Sequence, residues 1–561
     1  MSRTRAATPA TSGPMLTSSA PTGPATADRA VRAQRIDWRF LLPDAGAGRV
    51  VWLGADDDEA AAALREAGWQ IDGPAAPNAL EADLVVVAAA TAADLATGVA
   101  MVRPGGVILA LTSGPRQRLA RDGRRTRALA PGHVAARLRT AGFTSIRTQL
   151  HVPSATRRSA IVPIDDPGAL RLFLVHHGGV IARRALTGLA EVARRSGWLA
   201  RLAPAASVVA RRPGAEAAPG SGSVGGDGGS RHLAGIGPAA GASHPAPLLL
   251  TPSFRASRHV VALVPSPDGR RPEIVAKIAR IADSGRVTDR EAAVLRAVAA
   301  APPLVRDSAP RCLAVGRPWG LATLVESGVV GAPLDPAAVR RDPDGAIALV
   351  VPWLAALATD RAVARPIAER LDRLVDGPLR AYERAAPPDD AERRRIERTL
   401  TLVERLRGSA LPVVIEHGDV SHPNLLVGGD GRLLAVDWEL GDPDGLPGHD
   451  LTGFLGYIAI ARAAAGRPAD QARTVRALHL GDAPWAEAAA RTYAQAVHVA
   501  ADLLPALTVL SWARRVVGLA DRLHDGIPTS IDAGTGAWIR AHRFSAAWAA
   551  AIERLDAVRP R

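Results

Sequence analysis

The sequence predicts two unlike units in one chain: an α/β unit built on a parallel sheet, then an α+β unit with a small strand-rich lobe and a large helical lobe. Three observations carry this. Within residues 35–212 buried-strand patterns alternate with a helical one. After residue 246 strand-like segments cluster between His259 and Val325, and helical spacing then dominates to the C-terminus. Between the two, residues 213–246 contain Gly-Ser-Gly-Ser-Val-Gly-Gly-Asp-Gly-Gly-Ser and little that could pack, the composition of a flexible linker.

In the first unit Arg49 to Leu53 and Asp83 to Ala88 read as buried strands separated by the helical pattern Glu59 to Ala67, a βαβ arrangement. In the second, residues 247–335 are expected to form the strand-rich lobe and residues 336–561 the helical lobe, interrupted by a short strand pair near Leu425 to Val436. The first 34 residues, mostly Ala, Thr, Ser, Pro and Gly with scattered Arg and no apolar core of a signal peptide, read as a disordered tail.

At 561 residues with 47% apolar content the chain can hold several cores. One cysteine, Cys312, excludes an internal disulfide and a multi-cysteine metal site, which suits a reducing cytoplasm. Ala346 to Ala358 carries Pro352, and Val499 to Trp512 carries Asp502 and Pro505, so both are expected as buried helices and no membrane association is predicted. The net charge of +14 is spread in arginines with no basic run interleaved with aromatics, so no nucleic-acid partner is predicted; a modest preference for phosphorylated substrates is compatible with it.

Of 69 basic residues only one is a lysine, Lys277, in the apolar run Glu273-Ile274-Val275-Ala276-Lys277. A lysine surviving so complete an arginine bias marks a place where a planar guanidinium cannot replace a compact ammonium. Were the basic positions equivalent, it would land there by accident roughly once in 69. Glu291 lies 14 residues later on a helical pattern, the spacing with which a strand lysine is held by a helix glutamate against nucleotide phosphates.

Further on stand Glu416-His417-Gly418-Asp419-Val420-Ser421-His422-Pro423-Asn424 and then Val436-Asp437-Trp438-Glu439. The apolar runs between them flank Asp430-Gly431, a hairpin signal. A two-residue loop centred there would set Asn424 opposite Asp437, two hard oxygen ligands suited to Mg²⁺. Asp419, five residues before Asn424, is placed on a loop where a carboxylate can take the proton of an attacking hydroxyl.

At these residues the chain resembles the aminoglycoside phosphotransferase and choline kinase-like family, from about Pro252 to the C-terminus, with His-Gly-Asp-x-x-x-x-Asn and Asp-Trp-Glu as its motifs. The resemblance implies a protein-kinase-like two-lobed fold, Asp419 as catalytic base, Asn424 and Asp437 as magnesium ligands, and Lys277 with Glu291 positioning the phosphates of ATP. It implies a bracing role for Asp450 and sets Leu324-Val325-Glu326-Ser327 at the hinge, where the backbone at Val325 would meet adenine. Thr251 to Val264 contains no glycine, so Ser253, Arg255, Ser257 and Arg258 are the candidates to contact phosphate in place of a Gly-rich loop.

Val102-Arg103-Pro104-Gly105-Gly106-Val107-Ile108 and Leu138-Arg139-Thr140-Ala141-Gly142-Phe143 resemble the late strands and hairpin region of class I methyltransferases, over residues 35–212. The implied fold is a Rossmann-like methyltransferase-type sheet. S-adenosylmethionine is not expected, because Ala55-Asp56-Asp57-Asp58-Glu59 replaces the glycine-rich loop after Leu53-Gly54 and four acids would repel the ligand's carboxylate. The expectation is therefore an ATP- and Mg²⁺-dependent small-molecule phosphotransferase acting on a hydroxyl of a sugar, aminosugar or amino alcohol. The alternatives are a nucleotide-binding regulatory or scaffold protein, whose first half packs or binds a protein partner, and a bifunctional methyltransferase-kinase.

Overall fold

One mixed sheet of 12 strands runs through both halves of the chain. The computed structural model describes residues 25–42, 48–54, 57–72, 81–113, 128–153, 158–177, 205–214, 247–252, 257–282, 285–359, 366–524 and 526–558. The linker reading, apart from residues 213 and 214, lies outside them, as do Ser253, Arg255 and Asp56.

In chain order the strands are β1 (Arg49–Gly54), β2 (Gln70–Asp72), β3 (Ala82–Ala88), β4 (Val102–Ser113), β5 (Thr144–Pro153), β6 (Arg158–Pro163), β7 (Ala205–Arg211), β8 (Leu248–Leu250), β9 (His259–Pro265), β10 (Pro272–Ala279), β11 (Cys312–Gly316) and β12 (Thr323–Ser327). Across the sheet they stand β2-β1-β3-β4-β7-β5-β6-β8-β9-β10-β12-β11. The pairs among β2, β1, β3 and β4 are parallel. From β4 to β7 onward every pair is antiparallel.

The sequence reading expected two separate units, but the ladder passes between them at β6 and β8, where Ala160 faces Leu250 and Ile161 faces Leu249. The reason is the edge. A strand edge left by the first half offers unpaired N–H and C=O groups, and β8 covers it. One face of the joined sheet is a single core: Val50, Leu84, Leu109, Ile161, Leu249, Ala262, Ala276 and Val325 share it with Ile36, Trp38, Phe40 and Leu42.

Those last four residues come from the N-terminal end, Gln34–Leu41 and Leu42, preceded by the helix Ala25–Ala33. Part of the stretch read as a disordered tail is thus helical, and residues 34–42 directly after it form an apolar plate. The plate is pinned by charge. Asp37 accepts from Arg280 Nε (3.1 and 3.2 Å) and Nη2 (3.0 Å), with Asp37 1% and Arg280 1% exposed.

The acid run near residue 57 has a local explanation. Asp57 caps the helix Asp58–Glu66, accepting from the backbone N–H of Ala60 at 3.0 Å, and Asp58 and Glu59 lie in its first turn. Asp72 pairs with Arg49 at 2.7 Å.

The helical lobe has its own core around Trp353, Tyr382, Phe454, Trp512 and Trp548. Its helix Ala501–His524 is the one described helix long and apolar enough to cross a membrane, and its apolar residues, among them Leu507, Leu510, Trp512 and Val516, are buried in that core.

Candidate active site

Period two along β10 decides where the lone lysine points. Ile274, Ala276 and Ile278 enter the core shared with the N-terminal plate, so Lys277 projects from the opposite face toward the helical lobe. There its Nζ lies 2.6 Å from Glu291 Oε1 and 2.6 Å from Asp437 Oδ1. Glu291 stands on the helix Gly285–Ala299 and also accepts from the backbone N–H of Trp438 at 3.0 Å, tying that helix to the Asp-Trp-Glu segment.

Lys277 is 7% exposed and Glu291 1%. Burial by itself would favour the neutral amine, but Asp437 and then Glu291 outweigh it and hold the lysine well above its ordinary pKa. Asp437 is brought into place by an unusual backbone, φ 68°, in the left-handed region that aspartate tolerates better than most residues. Trp438, fully buried, stacks on His417 with centroids 4.5 Å apart and fixes the turn beyond Asp437.

The loop bearing Asp419 is held from below. Asp450 accepts from the N–H groups of His417 (2.6 Å) and Gly418 (2.9 Å), the bracing position expected of it. His417 Nε2 lies 3.0 Å from the Val436 carbonyl, and its Nδ1 accepts from the Asp419 N–H at 3.3 Å, so the imidazole is neutral with its proton on Nε2. Burial lowers its pKa. Gly418 has φ +85°, and a Cβ there would sit 2.2 Å from the Leu440 carbonyl oxygen. Glu416 just before the loop is gripped by both Nη atoms of Arg514, at 2.7 and 2.6 Å, which joins the loop to the helix Leu504–His524.

The hairpin register differs from the expected one. Leu425 pairs with Ala435 and Val427 with Leu433, so Asn424 lies across from Val436, whose N–H donates to the Asn424 carbonyl at 2.9 Å. Gly428 N–H donates to Arg432 O, and Gly431 takes φ +81°, closing a three-residue loop in place of the two-residue one; the extra loop residue shifts the pairing by one. Asn424 nonetheless meets the loop bearing Asp419, its Nδ2 donating to the Asp419 carbonyl at 3.1 Å. Ser421 Oγ donates to Asp419 Oδ1 at 2.9 Å.

The donor set suits a phosphate-shared magnesium ion. With Nδ2 donating to the loop, Asn424 keeps its amide oxygen as a ligand atom, and the side chain of Asp437 keeps 40% exposure while its Oδ1 engages Lys277. Among the described residues no group of three or more His, Cys, Asp and Glu side chains forms a cage for a metal. Two oxygen ligands with the other positions left to water and phosphate are what Mg²⁺ takes.

Two expectations for nucleotide contacts are not met. Ser257 is 3% exposed and points inward, accepting from Arg280 Nη1 at 2.7 Å and donating to the His259 carbonyl, so it completes the network at Asp37. Val325 has its side chain in the shared core, and its strand has partners on both sides, with Ala276 opposite on β10 and Ala314 on β11; its backbone is used within the sheet. Arg258, also buried, donates to the Leu523 carbonyl at 2.9 Å across the lobes.

Sequence reasoning placed Glu326 only within the hinge segment. It comes one residue after Val325 and so returns to the face of Lys277, where burial first, then Glu291 and Asp437 against the pull of Lys277, push its carboxyl up to about 8. Its Oε2 has no hydrogen-bond partner among the described residues. Glu439, by burial and then Asp437, is likewise pushed up to about 8 and lies 3.8 Å from His259.

Residues 256–493 match the phosphotransferase enzyme family. Solved structures similar to the chain include choline kinase LicA from Streptococcus pneumoniae (11% identity, 55% of this chain and 91% of that one, TM-score 0.35). Others are a choline/ethanolamine kinase family protein from Mesorhizobium loti (18% identity, 53% and 90%, TM-score 0.30) and an aminoglycoside phosphotransferase from Alicyclobacillus acidocaldarius (14% identity, 54% and 91%, TM-score 0.30). No curated protein matches the chain. The kinase-like second half, over residues 256–493, thus carries the match to the phosphotransferase enzyme family.

Proposed function

We propose that the chain is an ATP-dependent phosphotransferase that phosphorylates a hydroxyl group of a small molecule. The observation that carries this reading is the bridge of Lys277 to both Glu291 and Asp437, in a chain that uses lysine nowhere else. Lys277 supplies a fixed ammonium for nucleotide phosphates, and Glu291 keeps it extended from the strand. Asn424 and Asp437 would hold magnesium, which when bound neutralises charge on the transferring phosphoryl group. Asp419 accepts the proton of the acceptor hydroxyl as its oxygen forms the new bond to the γ-phosphorus and the bond from that phosphorus to the β-bridging oxygen breaks, releasing ADP.

The first half is read as a methyltransferase-type module serving as a packing partner. Its parallel strands followed by antiparallel ones support the resemblance in its late strands and hairpin region. The acids at residues 57–59, committed to a helix start, favour the reading without S-adenosylmethionine.

The test is a screen of hydroxylated metabolites for ATP-dependent phosphorylation by the purified chain, with Asp419→Asn as control. The variant should bind nucleotide normally and lose turnover by about 10² to 10⁴. Near-normal turnover in the variant removes Asp419 from the mechanism.

A further inference from the structure

Three arginines from the C-terminal helices approach the catalytic loop without a carboxylate partner. Arg515, on the helix Leu504–His524, donates to the carbonyls of Gly418 (3.4 Å) and His449 (3.3 Å), and its buried Nε has no partner among the described residues. Arg522, on the same face two turns later, donates through Nε to the Gly518 carbonyl of its own helix at 3.2 Å. Arg543, opening the helix Arg543–Val558, donates to the side-chain oxygen of Gln471 at 3.1 Å. Among the described residues none of the three forms an ion pair.

Arg515 and Arg543 meet at the Phe544 ring, and Arg515 touches the loop that bears Asp419 at the Gly418 carbonyl; Arg522 is a like-charged neighbour of both. The guanidinium carbons of Arg543 and Arg515 lie 4.9 and 6.0 Å from the centroid of the Phe544 ring, and Arg515 lies 6.0 Å from that of Trp512. Asp450 and then Asp419 are the acidic neighbours of Arg515, Asp419 is that of Arg543, and Arg522 has Glu439 nearby. Burial first, then Arg522 and Arg515 against Asp419, bring Arg543 down to about 10.

Another arginine-rich place makes the contrast. A cavity of about 470 Å³ on the adjoining side of the same helix is lined by Arg286, Arg290, Arg373 and Arg514, three of which are already paired, Arg286 with Asp521, Arg373 with Asp442 and Arg514 with Glu416. Those three charges are satisfied within the fold. Partly buried guanidinium groups with only carbonyl or amide partners are costly unless an anion joins them, and their planar forks match the two oxygens of a carboxylate or phosphate. The aromatic faces that could cradle a cationic ammonium are covered by the arginines themselves.

We propose that Arg515, Arg522 and Arg543 form the acceptor subsite beside Asp419, and that the phosphorylated hydroxyl belongs to a molecule carrying a carboxylate or phosphate group. This rests on the phosphotransfer reading. Neutral polyols and cationic amino alcohols are then poor acceptors, because the first leave the cluster unpaired and the second add like charge to it.

Calorimetry on the full chain separates the two claims. Titration with a magnesium complex of a non-hydrolysable ATP analogue comes first; failure of the wild type to bind it overturns the phosphotransfer reading, and the acceptor inference falls with it. In nucleotide-saturated protein, glycerate and glycerol phosphate should then bind at least about tenfold more tightly than glycerol or choline, in keeping with a charge-assisted pair to each guanidinium. Arg543→Gln and Arg515→Gln should each remove about tenfold of that preference, with partial retention in Arg543→Lys and nucleotide affinity unchanged in all three, which also shows that they fold. Equal or better binding of glycerol or choline, a preference that survives both glutamine variants, or a loss confined to the nucleotide overturns the acceptor assignment alone.

Discussion

Removing one carboxylate far from the catalytic loop should loosen the strand that carries Lys277. Asp37 supplies the anion for Arg280, three residues after Lys277, and both side chains are withdrawn from water, at 1% and 0% exposure. Arg280 Nη1 and Nη2 keep other acceptors, the Ser257 hydroxyl and carbonyl and the Pro252 carbonyl. Its Nε has only Asp37. Arg39 lies 4.0 Å from the same carboxylate, and burial already lowers its pKa to about 10. Asp37→Ala therefore leaves two buried cations without their anion, a change that costs about 3 to 5 kcal/mol. At about 1.4 kcal/mol per factor of ten, amide exchange in β9 and β10 should accelerate by roughly two to four powers of ten. Asp37→Leu combined with Arg280→Met should recover the part of the loss due to Arg280, while Arg39 stays without its anion. Hydrogen exchange read strand by strand is the assay, and protection of β9 and β10 equal to the wild type in Asp37→Ala would refute the argument that the N-terminal plate supports the nucleotide lobe.

Lys277→Arg should abolish magnesium-nucleotide binding although charge is kept, since the larger fork must fit where Nζ now sits 2.6 Å from two carboxylates; unchanged affinity by calorimetry counts against the site. Gly418→Ala should cut turnover by about 10² or more with nucleotide affinity retained, because the new Cβ collides with the Leu440 carbonyl and shifts Asp419; normal kinetics would mean the loop relaxes freely. His479 accepts from Trp512 Nε1 at 2.8 Å, and burial, then Arg554, lower its pKa to about 4, below the unfolded value of about 6.5. Its folded pKa being depressed, the contribution is complete above about pH 6.5 and is lost as pH falls toward about 4. Urea midpoints should decline over that window, and His479→Gln should shrink the decline; an identical slope in the variant refutes it.

Local sequence was enough for the elements and for the order in which the candidate site residues stand on them. Strand periodicity sets Lys277 on β10, the next helix carries Glu291, and the loop and hairpin carry Asp419, Asn424 and Asp437, because local propensity and turn chemistry act over a few residues. The brace at Asp450 was legible as well. Hairpin register was not, since a two-residue and a three-residue loop share the Asp430-Gly431 signal and only the packed strands choose between them. Ser257 was misplaced because which way a side chain faces depends on what covers the other side of the sheet, and that cover is residues 34–42, more than 200 positions away in the chain, while the strand of Val325 is paired on both sides by β10 and β11. The union of both halves into one sheet, the Asp37–Arg280 pair and the gathering of Arg515, Arg522 and Arg543 beside Asp419 exist only in the folded chain. Each joins residues whose separation leaves no periodic trace, and burial and charge pairing settle them only once the chain has closed on itself.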